Sequence, residues 1–205
     1  MTRRAPLGCV ALLLSLAACG SVEVPRERFY RLDLPAPMPA DPQRAGVLRV
    51  QDLQLGTAID SDCLLVADGV RLEPRPLDRW VAPLDRLVTD ALVLGLSRSG
   101  VVELVKGSAD PGSETWSLHG RIVDFAEANA GSQRQARVAL ELWLEQRDQV
   151  LFRDEFVVVE QVEGNATSAA VTAFSKGVQT IVDQLVTRMD HDGVLAAARP
   201  PVPSR

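Results

Sequence analysis

Reactive side chains are scarce in this chain of 205 residues. It carries three cysteines, two histidines (His119 and His191) and two lysines (Lys106 and Lys176), and aromatic residues make up 4 % of it. That poverty excludes much chemistry. No G-x-S-x-G elbow occurs, and the residues three before the lysines are Glu103 and Ala173, so a Ser-x-x-Lys nucleophile is absent. No glycine loop of the G-x-x-x-x-G-K-[ST] type is present to cradle a phosphate. His119 alternates with Leu118 in a strand-like run and reads as a surface or rim residue. His191 lies between Asp190 and Asp192 at a helix end, where a cation suits the local dipole. A transition-metal site wants converging His or Cys ligands, which the sequence does not offer. Carboxylate pairs such as Glu141 and Glu145 read as solvated charges, and nothing selects a glycosidase-type pair. No catalytic, cofactor-binding or metal-binding residue is therefore assigned.

Basic charge is also short. The formal net charge is −5, and removing Arg3 and Arg4 takes it to −7. An acidic chain without a basic cluster is a poor nucleic-acid binder, and it has no polybasic patch with which to hold an anionic membrane. Disulfides are excluded as well. Cys9 and Cys19 fall near the N-terminus, which leaves Cys63 alone in the body of the chain. Its apolar surroundings mark it as a small core residue.

What is present begins at the N-terminus. Met1 to Arg4 is positively charged, Val10 to Leu16 is apolar, and Ala17-Ala18 precede Cys19. The apolar run is shorter than the ~20 residues a spanning helix needs and ends at a small-residue cleavage site. An ordinary secretory signal cut near Ala18, or an uncleaved anchor, would share these features. Leu16-Ala17-Ala18-Cys19-Gly20, however, resembles the lipobox of a bacterial lipoprotein. That resemblance implies a diacylglyceryl group on the Cys19 sulfur, cleavage before Cys19 and acylation of the new amino group. Cleavage there removes 18 of the 205 residues and leaves 187. Each buried methylene contributes about 0.8 kcal/mol, and two or more chains give stable attachment. Gly20, where the family's inner-membrane retention rule wants aspartate, implies sorting to the outer membrane, with the inner membrane as the alternative.

The remainder reads as residues 19–28, a lipidated tether; 29–193, one domain; and 194–205, a proline-rich disordered tail. Strands are expected over Phe29–Leu34 and Val47–Leu55. A hairpin is expected around Asp68-Gly69, with further strands over Val101–Val105, Thr115–Glu127, Gln135–Gln146 and Val150–Gln161. Leu84, Leu87, Val88, Ala91, Leu92, Gly95 and Leu96 form one helical stripe, entered at Pro83 and stopped by Gly100. A second stripe, from Ala170 through Phe174, Val178, Ile181 and Leu185 to Met189, has Asn165 or Thr167 as its cap and Gly193 as its stop. Strand, helix, strand in this order implies a crossover and some parallel pairing. The fold class is α/β: a mixed sheet of about six to eight strands with two long helices packed on it.

Three motifs in order carry a wider resemblance: Phe29-Tyr30-Arg31-Leu32 before a proline-rich connector, Arg79-Trp80-Val81-Ala82-Pro83-Leu84 at a helix entry, and Leu118-His119-Gly120-Arg121-Ile122-Val123-Asp124-Phe125. Together they resemble the ABC-type transport auxiliary lipoproteins over Cys19 to about Met189. The resemblance implies a fold similar to the N-terminal domain of TolB and a periplasmic accessory of a lipid-transporting ABC system. Its partners would be an MCE-domain protein, a permease and an ATPase, and it leaves room for self-association. Read as residues, Trp80 is an amphipathic core plug, and Arg79 is a surface charge or a carboxylate's partner. Two competing functions remain: a lipid carrier, motivated by Phe125, Trp143, Val157 and Val159, which do not fit one core face, and an envelope hydrolase with converging acids.

Overall fold

The computed structural model of the chain describes residues 25–35, 44–59, 62–130, 133–191 and 194–195. Cys19, the signal, most of the tether, Gly193 and most of the tail lie outside the described residues. The strands are β1 (Arg28–Tyr30), β2 (Arg44–Val50), β3 (Gln54–Leu55), β4 (Cys63–Asp68), β5 (Arg71–Trp80), β6 (Val102–Lys106), β7 (Trp116–Ala130), β8 (Gln133–Gln146) and β9 (Gln149–Gln161). The helices are α1 (Leu84–Ser99) and α2 (Thr167–His191). They form one mixed sheet with two helices on it, the expected architecture. The sheet has nine strands among the described residues because the run Val47–Leu55 divides into β2 and β3.

β7 is the spine. One of its edges pairs antiparallel with β8 along its length. The other receives β2, β3 and β4 in succession, all parallel. β5 and β1 extend the sheet beyond β4, β6 extends it beyond β2, and β9 closes the β8 side. The crossover through α1 delivers β6 parallel to β2, not to β5.

Alternation decides which face is covered. Ala136, Val138, Leu140, Leu142 and Leu144 of β8 are buried against the helical layer, while Arg137, Glu141, Trp143 and Glu145 point the other way. In β7 the register shifts between Ile122 and Asp124. One extra residue, Val123, is thereby left unpaired and exposed, and the phase of the strand flips. Phe125, rather than Asp124, then turns to the core. It stacks on Phe174 at 4.6 Å, and Trp80 meets both rings edge-on at 5.8 and 6.0 Å. Trp80 is the core plug expected.

The helices obey their stripes. Leu84, Val88, Leu92 and Leu96 of α1 are buried, Pro83 stands at its N-cap, and Gly100 closes it with φ +69°. α2 packs across β8 and β9 and against α1. Its start is Thr167, whose hydroxyl donates to Asp78. Leu195, placed in the tail by sequence, is buried in the core.

Two turns differ from expectation in detail. The β4–β5 loop is Gly69-Val70, with Asp68 paired to Arg71. Only Gly69, of those two, has positive φ, the Gly-x pattern of a II′ turn. β5 also continues through Pro74 and Pro76 to Trp80. Its far edge is open until β1 joins at Asp78, and the register jumps between Arg75 and Arg79, so both prolines are tolerated.

Candidate functional site

The chain enters the fold through β1, and a buried polar network holds that entry. β1 runs parallel to β5, with Arg28 beside Asp78 and Tyr30 beside Trp80. Asp78 is buried and accepts hydrogen bonds from Arg28 Nε at 2.7 Å, Arg28 Nη2 at 3.0 Å, Tyr30 Oη at 3.2 Å and Thr167 Oγ1 at 3.1 Å. Arg75 continues the network, donating to Thr167 Oγ1 at 3.3 Å and to Glu127 at 3.0 Å. Glu127, also buried, accepts a bidentate pair from Arg134 at 2.6 and 2.9 Å, and Arg134 donates to the Gly164 carbonyl. Two buried carboxylates are tolerable only with partners of this kind. The hydrogen bonds and charge of Asp78 raise the pKa of Arg28, and those of Glu127 raise that of Arg134. Three backbone pairs alone would hold β1 weakly. The Arg28–Asp78 pair, with its guanidinium largely exposed, adds to that hold, and Asp78 joins it to the start of α2 through Thr167.

A buried cation organises the opposite end. Arg49 donates to the carbonyls of Gly107, Ser108, Asp110 and Gly112 and to the Glu114 carboxylate. Its hydrogen bond lowers the pKa of Glu114. The loop between β6 and β7 is wrapped around this one guanidinium.

The sequence-level candidates are dispersed. His119 lies half-buried on the face away from the helices, stacked on Trp143 with ring centroids 5.6 Å apart. Arg153 covers Trp143 at 5.0 Å, in the same cross-strand row. Glu141 pairs with Arg153, and Glu145 lies 3.5 Å from His119 and accepts a hydrogen bond from the Trp143 indole. Arg79 is a carboxylate's partner, 3.0 Å from Glu27. Cys63 is buried among the hydrophobic core residues, as expected. The side chain of His191 and the whole of Cys19 lie outside the described residues. Asp124, on the open face, is held above its usual carboxyl range by burial, with Arg137 at 2.9 Å opposing the shift.

Among the described residues no group of three or more His, Cys, Asp or Glu converges to hold a metal ion. No helix there is long and apolar enough to cross a membrane. A groove of about 640 Å³ is lined by Ala45, Gly46, Glu114, Thr115, Ser117 and Glu145 together with the β8–β9 turn at Arg147 and Asp148. The network residues Asp78 and Glu127 escaped the sequence reading. The one available signal was an acidic residue at apolar phase, and the bulge at Val123 hides that phase for Glu127.

Residues 30–186 match the family described as "ABC-type transport auxiliary lipoprotein component". No curated protein matches the chain. Among solved structures, a DUF330-family protein from Xanthomonas campestris superposes with a TM-score of 0.74 at 19 % identity, covering 84 % of this chain and 99 % of its own. A hypothetical protein from Chlamydia trachomatis superposes at 0.54 with 11 % identity, covering 75 % and 99 %. At such identities the likeness is one of fold.

Proposed function

The chain belongs to the family of ABC-type transport auxiliary lipoprotein components, and on that premise we propose that it is a non-enzymatic adaptor tethered by lipid on Cys19. Its task is to link an MCE-type ABC lipid-transport system, with its permease and ATPase, to the outer membrane. The observation that carries this reading is the pairing of a lipobox at Cys19 with an entry strand clamped through Arg28 and Asp78. A docking protein must transmit load between anchor and body, and the clamp provides that link. Gly20 after the cysteine favours the outer membrane over the inner. Of the residues that motivated the carrier reading, Phe125 belongs to the core through the β7 bulge, while Trp143, Val157 and Val159 lie on the other face of the sheet.

Cys19→Ala tests the anchor. The variant should fold normally and move from the membrane fraction to the soluble fraction of the envelope, and full retention in the membrane would end the tether reading. Mild crosslinking of the wild-type chain should recover an MCE-domain protein. Recovery of unrelated proteins alone would end the adaptor reading.

A further inference from the structure

The direction of β1 orients the anchored domain. β1 is parallel to β5, so the chain arrives at Arg28 from the side on which β5 begins, the side of the β4–β5 hairpin tip. Val70 at that tip is fully exposed, at 103 %, and Leu72 beside it is 41 % exposed. A single exposed valine on a turn is ordinary. This one stands at the end of the domain from which the tether departs.

The lengths permit a contact. Asp78 lies beside Arg28, and because β5 bulges between Arg75 and Arg79 the distance back to the tip is set by β4, whose five steps from Cys63 to Asp68 span about 17 Å at ~3.3 Å per residue. The nine residues from Cys19 to Arg28 reach at most roughly 30 Å when fully extended. The tether is therefore longer than the distance to the hairpin tip, and with slack in it the domain can settle until the tip meets the surface that holds the lipid. β7 ends at the same level, since Ala67 pairs with Ala128 and Asp68 with Arg71. The tip's charges nearly cancel. Arg71 is paired with Glu73 at 2.6 Å and Asp68 stands next to the turn, so attraction to lipid phosphate is not its means of contact.

We propose that the β4–β5 hairpin tip rests on the lipid surface that carries the anchor, with Val70 and Leu72 in contact with the bilayer. This rests on the Cys19 reading. It leaves the opposite end, with the β8–β9 turn and the loop around Arg49, directed away from that membrane.

The test uses the full lipidated chain in vesicles of phosphatidylethanolamine and phosphatidylglycerol. In it the Cys19 thiol carries lipid, and Cys63 is buried. Val70→Cys and, at the far end, Gln149→Cys are each labelled with an environment-sensitive fluorophore. Position 70 should be quenched several-fold more by spin-labelled lipid than position 149, should be shielded from iodide, and should stay so in high salt. Equal quenching at the two positions would overturn the contact. Shielding from iodide without quenching by lipid would mark a protein neighbour and overturn it equally. Flotation of the unlabelled wild-type chain with the vesicles is scored separately. Its loss removes the anchor itself, whereas flotation with an unquenched position 70 removes only the tip contact.

Discussion

The packing of α1 on α2 can be tested at a single methyl group. Gly95 of α1 is buried where the helices meet, and a Cβ on it would stand 2.9 Å from both Cγ atoms of Val182. Val182 is β-branched and wholly buried, so its methyls cannot swing aside cheaply. Two terms oppose each other in Gly95→Ala. Helix propensity favours alanine by about 1 kcal/mol, while overpacking a filled core costs about 1–3 kcal/mol. The clash should win, with a net loss of about 1 kcal/mol. Val182→Ala alone empties two methyl groups from the same contact and should cost about 2 kcal/mol. If the sites were independent, the double variant would lose about 3 kcal/mol. Instead the methyl introduced at position 95 enters the space that Val182 vacates, and the double variant should lose about 1 kcal/mol or less, a coupling of about 2 kcal/mol. Urea unfolding of the chain without its signal would measure this as midpoint shifts at constant slope. Additivity, or a Gly95→Ala variant more stable than wild type, would refute the contact argument.

The elements that sequence periodicity exposes are those whose partners do not matter to the pattern. The stripes of α1 and α2 and the alternation of β8 repeat within a few residues, so their faces are readable before any partner is known. Boundaries set by distant groups are not. The run Val47–Leu55 breaks where the Leu53 amide turns from the sheet to donate to Thr89 Oγ1 on α1, just after the Gln51 amide makes its bond to Leu118 O of β7. The first strand stops at Tyr30, short of the expected Leu34, and the Asp33 amide donates to Ser175 Oγ on α2. The Asp78 and Glu127 network joins residues many turns of chain apart, and the bulge at Val123 reverses the phase on which a burial reading depends. The stretch around Cys19 shows the opposite limit. Its resemblance to a lipobox is a matter of a linear string, so it is legible in sequence. The direction from which the chain enters the fold depends on the parallel β1–β5 pairing, which no local pattern announces.

Two further perturbations probe the charged groups. Arg49→Ala should destabilise the chain by about 3 kcal/mol, because several carbonyls lose a charged donor at once, and should speed amide exchange between Gly107 and Glu114. Arg49→Lys, lacking the planar fork, should recover only part of this, and full recovery would show that charge alone suffices. The last test concerns pH. Burial holds the Asp124 carboxyl above its ordinary value of 3.8 despite Arg137. Between 3.8 and the raised folded value, the folded chain binds more protons than the unfolded chain. The stability owed to Asp124 is therefore present at low pH and lost as pH rises through that window. Asp124→Asn removes the titration, so its melting temperature relative to wild type should climb over the same window. A relative melting temperature that fell with rising pH would mean that the Arg137 ion pair outweighs desolvation, and the sign of the shift would be reversed.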